Sequence, residues 1–355
     1  MEKKLFIPGP VSVRKDVLEK MATPMIGHRS KDASALQRRI SEKLQRIFYT
    51  KNEMLLSTSS GSGLMEGAVR SCTRRRAAIF SIGAFGDRWY EMAVSNGVPA
   101  DKFSAELGKA TLSEQVEEAL ATGKYDLVTI THNETATGVS CPIEEISDVM
   151  QRYPEVIWCV DTVSSMGGVK IEVDQLGIDL CITSSQKCLG LPPGMAICSI
   201  SEKAVEAAKQ VQNRGFYFDL LALYNYVKTK DYQYPSTPSL SHMFAMDYQL
   251  DRILEEGLEN RYRRHKEMAD YVRGWAKAEF ALFADEKYVS DTVTAISNTK
   301  EIDVASLNKR LGEYGYVISN GYGSLKDKTF RIAHMADTTM EDIKALIDTI
   351  DHILA

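Results

Sequence analysis

Short apolar runs alternate with amphipathic helical segments along most of the chain, and this pattern predicts the fold class. Several of the runs are continuous rather than alternating, which is typical of strands buried on both faces. The predicted strands are Met54–Ser57, Ala77–Ile82, Leu127–Thr131, Val156–Val160, Leu180–Thr183 and Met195–Ile200. Strand–helix alternation of this kind indicates an α/β fold, with a large domain whose mainly parallel, mixed sheet is covered by helices.

A second, smaller domain is predicted from the last third of the sequence. Residues 241–277 carry charged positions throughout a helical pattern, which favours one long helical region leading to that domain. Strands are predicted near Val289–Ser297 and Thr329–His334, before a final helix in which Thr338 and Glu341 have capping-box spacing. The buried stripe of this helix consists of Ile343, Leu346, Ile347, Ile350 and Ile353. We therefore expect an α+β arrangement for this domain.

Composition and charge narrow the functional classes. The 355 residues suffice for about two domains, and a net charge of −5 leaves no basic surplus for nucleic acid or an anionic membrane. No apolar stretch reaches about 18 residues, the length that a membrane span needs. The six cysteines include no C-x-x-C pair, which argues against zinc and thioredoxin-like sites. We therefore expect a cytoplasmic protein without a metal site, whose cysteines stay reduced.

Two turns rich in small residues could bring the backbone close to a ligand. Ser59–Gly63 lies between a predicted strand and a predicted helix, where free N–H groups and the helix dipole favour an anion. Taken alone, such a turn is more often an ordinary helix cap. In Gly83–Trp89, the ring of Phe85 could lie flat against a planar ligand, although a core position is the commoner use of such an aromatic residue.

Polar groups also follow three of the apolar runs. His132–Gly138 comes directly after the third run, where open α/β sheets bind ligands, although a solvated turn is equally common there. Asp161 follows the fourth run, and a buried carboxylate needs a partner such as a protonated pyridine nitrogen; a helix cap is the structural alternative. Lys187 follows the fifth run, where desolvation would expose a nucleophilic amine, whereas most single lysines are simply solvated.

The order and spacing of these features are more informative than any one of them. Asp161 and Lys187 are 26 residues apart, so they can lie at the ends of two strands of one sheet and face one ligand. With the anion-binding turn before them, the chain resembles the class V aminotransferases, most closely their alanine–glyoxylate and serine–glyoxylate branch. The resemblance covers nearly the whole chain, including Pro8–Pro10, Met25–Asp32 and Phe330–Met335.

This resemblance implies an architecture, a cofactor and an assembly. The architecture is the fold-type I arrangement, in which a seven-stranded sheet forms the core of the large domain. By analogy, residues 15–245 form the large domain, and residues 1–14 and 246–355 form the small domain with its connecting helix. The cofactor is pyridoxal 5'-phosphate, and the assembly is a homodimer with shared active sites.

The resemblance also assigns roles around the cofactor. Lys187 corresponds to the Schiff-base lysine, and Asp161 to the partner of the pyridinium nitrogen, an ion pair that makes the ring an electron sink. Phe85 matches the residue stacked on the ring, where many relatives carry tryptophan, and Val163 is expected on the opposite face. Thr135 is expected to reach the phenolic oxygen. The phosphate contacts are expected from Ser60, Gly61, Ser62 and Gln186, and from Tyr234 and Thr237 of the other subunit.

The substrate contacts decide what is transferred. Arg331 matches the arginine that clamps the substrate α-carboxylate, and Gly9, His28 and Arg29 are the other positions ascribed to substrate binding. With one clamp, we expect transfer from alanine or serine to glyoxylate or pyruvate. If His28 and Arg29 enter the pocket, the alternative is an acidic substrate, namely aspartate, phosphoserine or an aminophosphonate. Otherwise Arg29 caps the neighbouring helix or meets the partner subunit.

Three neighbouring functions are less favoured by the sequence. Cysteine desulfurases need a reactive cysteine on a loop late in the chain, and here the last cysteine is Cys198. Phosphoserine aminotransferases carry an arginine in the phosphate-binding loop, whereas residues 59–67 contain none. A non-catalytic cofactor-binding module would be indicated by the loss of Lys187, Asp161 or Arg331, and all three are present.

Overall fold

The computed structural model describes residues 3–355, which form two main sheets and the helices around them. The strands are β1 Lys4–Phe6, β2 Glu53–Ser57, β3 Ala77–Ser81, β4 Ala100–Ser104, β5 Leu127–Thr131, β6 Asn133–Glu134, β7 Val139–Ser140, β8 Ile157–Asp161, β9 Leu180–Ser184, β10 Ala196–Ile200, β11 Ala281–Leu282, β12 Val293–Ser297, β13 Tyr316–Asn320 and β14 Thr329–Ala333. The helices are α1 Lys15–Lys20, α2 Lys31–Phe48, α3 Gly61–Cys72, α4 Ala84–Ser95, α5 Ser113–Leu120, α6 Ile143–Met150, α7 Val173–Leu176, α8 Glu202–Lys209, α9 Leu220–Thr229, α10 Leu240–Glu256, α11 Leu258–Glu279, α12 Val304–Glu313 and α13 Met340–Leu354.

The larger sheet has seven strands in the order β2-β10-β9-β8-β5-β3-β4. Strand β10 runs antiparallel to both of its neighbours, and the other pairings are parallel. Strands β3, β5, β8, β9 and β10 are buried along their whole length, as their continuous apolar sequences predict. The predicted mixed, mainly parallel α/β sheet is therefore confirmed.

The smaller sheet has five strands in the order β1-β13-β14-β12-β11. Strand β1 pairs in parallel with β13, so residues 4–6 cross the molecule to join strands from the last part of the sequence. Helices α11, α12 and α13 pack their apolar side chains against this sheet. The second, α+β unit is thus present, while the exact domain bounds stay a prediction.

Three details differ from the sequence-based expectations. The helical region 241–277 is two helices, because Gly257 has a φ of 83° and separates α10 from α11. The capping box of α13 lies one residue later than predicted, between Thr339 and Asp342. Strands β4 and β13 were not predicted, because all residues of β4 are partly buried or exposed and only Ile318 of β13 is buried; the short strands β1, β6, β7 and β11 were also not predicted.

The sequence predicts reduced cysteines and no membrane span. All six cysteines are buried and free of disulfides, as expected for small core thiols. Within residues 3–355, no helix is both long enough and apolar enough to cross a bilayer.

Candidate active site

The predicted catalytic pair lies at the carboxyl edge of the seven-stranded sheet. Asp161 is the last residue of β8, where it is paired with Thr131 of β5 and Ile182 of β9. Lys187 lies in the turn that follows β9. Because parallel strands end at the same edge, both side chains line one pocket, which we call the edge pocket.

The edge pocket also brings together most of the other predicted residues. Those that line it are Ser60, Gly61, Ser62, Phe85, Thr135, Asp161, Val163, Gln186 and Lys187. They come from segments that are distant in the sequence and meet only because each segment ends at the same edge of the sheet. The lining residues that were not predicted are Met65, Arg88, Asn133, Ser164 and Ser184.

Asp161 is a buried carboxyl group with few partners in the protein. Asp161 is 4% exposed, and its Oδ1 accepts a hydrogen bond from the Val163 N–H at 2.8 Å. Burial raises the pKa of Asp161 to about 6, although the Val163 N–H and the charge of Lys187 act in the opposite direction. The protein alone therefore under-compensates this carboxylate, which suits a cationic ring nitrogen as its further partner.

Lys187 is a buried amine held under the N-terminal segment. Its Nζ donates a hydrogen bond to the carbonyl oxygen of Pro8. A Cβ placed on Gly9 would lie 2.8 Å from this Nζ, so a side chain at residue 9 would collide with the lysine. Burial lowers the pKa of Lys187 to about 8, which increases the fraction of neutral, nucleophilic amine near neutral pH. Gly9 thus lies against Lys187, and its role in substrate binding stays a prediction.

The turn before α3 presents a helix N-terminus to the edge pocket. Ser60 is the N-cap residue, and its side chain makes no capping hydrogen bond. A Cβ on Gly61 would lie 2.7 Å from Cγ2 of Val163, so only glycine lets the helix begin this close to the loop after β8. The free N–H groups of this first turn favour an anionic ligand.

Two buried polar atoms beside this turn have no hydrogen-bond partner among residues 3–355. They are Oγ of Ser184 and Oε1 of Gln186, and both residues line the edge pocket. Buried polar groups are normally paired, so these atoms indicate a polar ligand in the pocket. Together with the helix N-terminus, the buried carboxyl group and the buried amine, they fit the phosphate, ring nitrogen and aldehyde of pyridoxal phosphate.

The predicted ring contacts flank the middle of the edge pocket. Phe85 lies in the first turn of α4, rather than on a strand-end loop as predicted, and its ring stacks on Tyr322 with centroids 5.5 Å apart. The Thr135 hydroxyl lies 2.5 Å from that of Ser164 and is buried. Val163, which contacts the start of α3, completes this set.

Arg331 lies on β14 beside the edge pocket and has no charged partner among the described residues. Its Nη1 donates to the carbonyl oxygen of Thr135 at 3.1 Å, and its Nε and Nη2 donate to that of Asn320 at 3.1 and 2.9 Å. Burial lowers the pKa of Arg331 to about 10, and the guanidinium remains a cation at neutral pH. A buried guanidinium bound only to carbonyl oxygens is suited to receive a carboxylate.

Glu134 is a buried residue of the site that sequence reasoning did not single out. Its Oε2 accepts from the N–H groups of Phe85 and Gly86 at 2.9 and 3.2 Å, and its Oε1 from that of Ala136 at 2.9 Å. Burial raises the pKa of Glu134 to about 7. This carboxyl group caps the start of α4 and so fixes the position of Phe85. The sequence feature that could have identified Glu134 is its position in the polar run His132–Gly138 after β5.

The remaining predicted residues do not line the edge pocket of their own chain. Thr237 is exposed, and the hydroxyl of Tyr234 accepts a hydrogen bond from the N–H of Thr58 at 3.2 Å. Arg29 is also exposed, and its guanidinium binds the carbonyl oxygens of Tyr234 and Pro235. His28 is half-buried next to Arg29. These residues therefore lie near one another but outside the pocket, and their roles stay predictions.

Comparison with known proteins gives one consistent result. The family model described as "Aminotransferase class-V" matches residues 11–346 of this chain. An uncharacterized aminotransferase of Methanocaldococcus jannaschii is 39% identical, over 99% of this chain and 92% of the relative. Serine–glyoxylate aminotransferase of Methylorubrum extorquens is 32% identical, over 94% and 86%. The crystal structure of alanine–glyoxylate aminotransferase from Nostoc sp. superimposes with a TM-score of 0.94 at 27% identity, covering 100% and 96%. The chain therefore belongs to the class V aminotransferases, which are pyridoxal-phosphate-dependent transferases of fold type I.

Proposed function

We propose that this enzyme transfers the amino group of a small amino acid, alanine or serine, to a small 2-oxo acid, glyoxylate or pyruvate. The observation that carries the proposal is that the guanidinium of Arg331, which forms no ion pair within residues 3–355, binds the carbonyl oxygen of Thr135, a residue that lines the edge pocket together with Lys187 and Asp161. One carboxylate clamp suits a substrate with one carboxylate. The serine–glyoxylate and alanine–glyoxylate relatives support the same choice.

The roles proposed for the chain's own residues follow from their surroundings. Bound pyridoxal phosphate supplies the electron sink that stabilises negative charge on the substrate α-carbon. Asp161 holds the proton on the ring nitrogen, and burial keeps water from competing for that carboxylate. Lys187 would hold the cofactor through its Nζ, and the same amine would move the proton at the substrate α-carbon. Arg331 holds the substrate carboxylate, and Phe85 and Val163 hold the ring between them.

A panel of amino donors and oxo-acid acceptors on the purified holoenzyme tests the substrate proposal. The Arg29→Ala variant then distinguishes a site for small neutral donors from a site for acidic donors. Because Arg29 binds backbone carbonyl groups of its own chain, we expect its loss to change kcat/KM for alanine and for aspartate by similar factors. A selective loss with aspartate or a phosphorylated substrate, of about 10-fold to 1,000-fold, would instead identify Arg29 as a second anion-binding residue. A wild-type preference for an acidic donor would equally overturn the proposed substrate, while leaving transamination intact.

We further propose a homodimer in which Tyr234 and Thr237 complete the phosphate site of the other chain. Neither residue lines the edge pocket of its own chain; Thr237 is exposed, while Tyr234 is 4% exposed and its carbonyl oxygen accepts a hydrogen bond from the exposed Arg29. A Lys187→Ala chain mixed with a Tyr234→Ala, Thr237→Ala chain should recover activity. Hybrid dimers would contain one intact site, so random mixing should restore about a quarter of the wild-type activity.

The same mixture also has an outcome that contradicts the shared site. Each variant must first be inactive alone, and hybrid formation must be demonstrated with a differential affinity tag. Absence of recovery under those conditions would show that Tyr234 and Thr237 serve their own chain or no site. A monomer in sedimentation experiments would exclude the arrangement altogether.

A further inference from the structure

Arg88 places a positive charge in the edge pocket and forms no ion pair with any of the described residues. It projects from α4, and its Nη1 and Nη2 lie 3.3 Å from the hydroxyl oxygens of Ser62 and Tyr322. Its guanidinium carbon is 4.7 Å from the ring centroid of Phe85. Among residues 3–355, no carboxylate forms an ion pair with Arg88; the adjacent Asp87 is bound by Lys102 instead.

Two largely buried arginines of this fold, Arg261 and Arg273, are compensated by carboxylates, whereas Arg331 is not. Arg261, which is fully buried, pairs with Glu256 at 2.7 Å, and Arg273 pairs with Asp291 at 3.0 Å. Leaving a partly buried cation without such a partner costs free energy. Arg88 is therefore arranged for an anion that comes from outside the polypeptide.

The position of Ser62 indicates which anion this is. Ser62 is the second residue of α3, a helix of 12 residues whose N-terminus opens into the pocket. The hydroxyl of Ser184, 0% exposed and without a partner among the described residues, lies in the same pocket. We propose that Arg88 binds the phosphate group of pyridoxal phosphate together with this helix N-terminus. The inference rests on the location of the phosphate at Ser60–Ser62 proposed above.

Arg88 reaches the phosphate site from helix α4 and not from the turn before α3. Residues 59–67 contain no arginine, but the guanidinium from α4 comes within hydrogen-bond distance of Ser62. Tyr322 orients it, because its hydroxyl accepts from Nη2 while its ring stacks on Phe85. The same ring lies 5.7 Å from the guanidinium carbon of Arg331, so a substrate carboxylate is the competing anion that the test must distinguish.

The test compares the affinity of the apoenzyme for pyridoxal phosphate and for pyridoxal, which lacks the phosphate. Arg88→Gln should weaken binding of pyridoxal phosphate by about 10-fold to 100-fold, the usual effect of losing a charged hydrogen bond, and should change pyridoxal binding little. Arg88→Lys, which keeps the charge, should give a smaller loss. Inorganic phosphate should compete with the cofactor less effectively in Arg88→Gln than in the wild type.

Arg75→Gln is the matched control, because it removes the same charge at the opposite edge of the sheet, where Arg75 donates to the carbonyl oxygens of Gly123 and Tyr125. Equal losses of affinity for both ligands in Arg88→Gln would mean that Arg88 only supports the fold. Unchanged cofactor affinity with a selective loss of activity on aspartate would mean that Arg88 reads a substrate carboxylate. Either result would overturn the inference. Borohydride labelling of Lys187 in the same protein reports separately on the proposed function.

Discussion

Lys187→Ala is expected to lower transamination by at least about 1,000-fold, the largest effect of any single substitution in this enzyme. Lys187 is the only lysine that lines the edge pocket within residues 3–355, and burial lowers the pKa of its amine to about 8. As purified, the wild type should be yellow, and borohydride should fix the cofactor on this residue. Peptide mapping of the reduced label is the direct measurement.

A lysine outside the pocket provides the control for this experiment. Lys170 is exposed and forms an ion pair with Glu172 at 3.2 Å, so Lys170→Ala should leave both colour and turnover unchanged. A reduced label on any lysine other than Lys187 would disprove the assignment. Turnover at the native rate in Lys187→Ala would do so equally.

The second large effect is expected for Asp161→Asn, which should reduce kcat by about 100-fold or more. The amide keeps the size of the side chain but cannot hold the proton on the ring nitrogen. Asp179→Asn is a matched control, because Asp179 is also 4% exposed but lies just before β9, at the opposite end of that strand from Lys187. Asp179 accepts from Trp158 N–H and Ser201 Oγ and pairs with Lys203, so its replacement should cost stability rather than turnover per folded molecule.

The difference in stability between the wild-type and Asp161→Asn apoproteins should depend on pH in a defined direction. The folded-state pKa of Asp161, about 6, is raised above its ordinary value of 3.8, so the folded state binds this proton more tightly than the unfolded state. The associated stability is present below about pH 4 and is lost as the pH rises through 6. The variant lacks this titration, so at pH 7.5 it should be at least as stable as the wild-type apoprotein. Denaturant titrations at pH 4 and pH 7.5 measure the difference, and equal slopes with pH would contradict it.

The sequence was sufficient to predict the groups whose position depends on strand ends. Asp161 and Lys187 each follow a continuous apolar run, and the edge of a parallel sheet brings such residues together. The helix N-terminus at Gly61 was likewise predictable from its small residues. These features depend on local patterns and on one general rule of sheet topology.

The parts that could not be predicted depend on contacts between distant segments. Arg88 is three residues beyond Phe85 and so lies on the same face of α4. A charged residue on a helix usually faces solvent, so the sequence did not place Arg88 in a pocket. Tyr322, between two glycines, has the sequence of an ordinary turn, and only the pairing of β13 with β14 brings it over Phe85. Gly257 was missed because the charged pattern continues on both sides of the break.

The pairing of β1 with β13 has a consequence for synthesis on the ribosome. Lys4 is paired with Tyr316, so the strand pairing that anchors the segment carrying Pro8 and Gly9 over Lys187 cannot form until more than three hundred further residues have been translated. The seven-stranded sheet uses only residues 53–200 and can form earlier, because domains generally fold as units during synthesis. A nascent chain would therefore pass through a stage with the reactive amine already positioned but still uncovered, and closing this contact of very large sequence separation would be a late step in maturation.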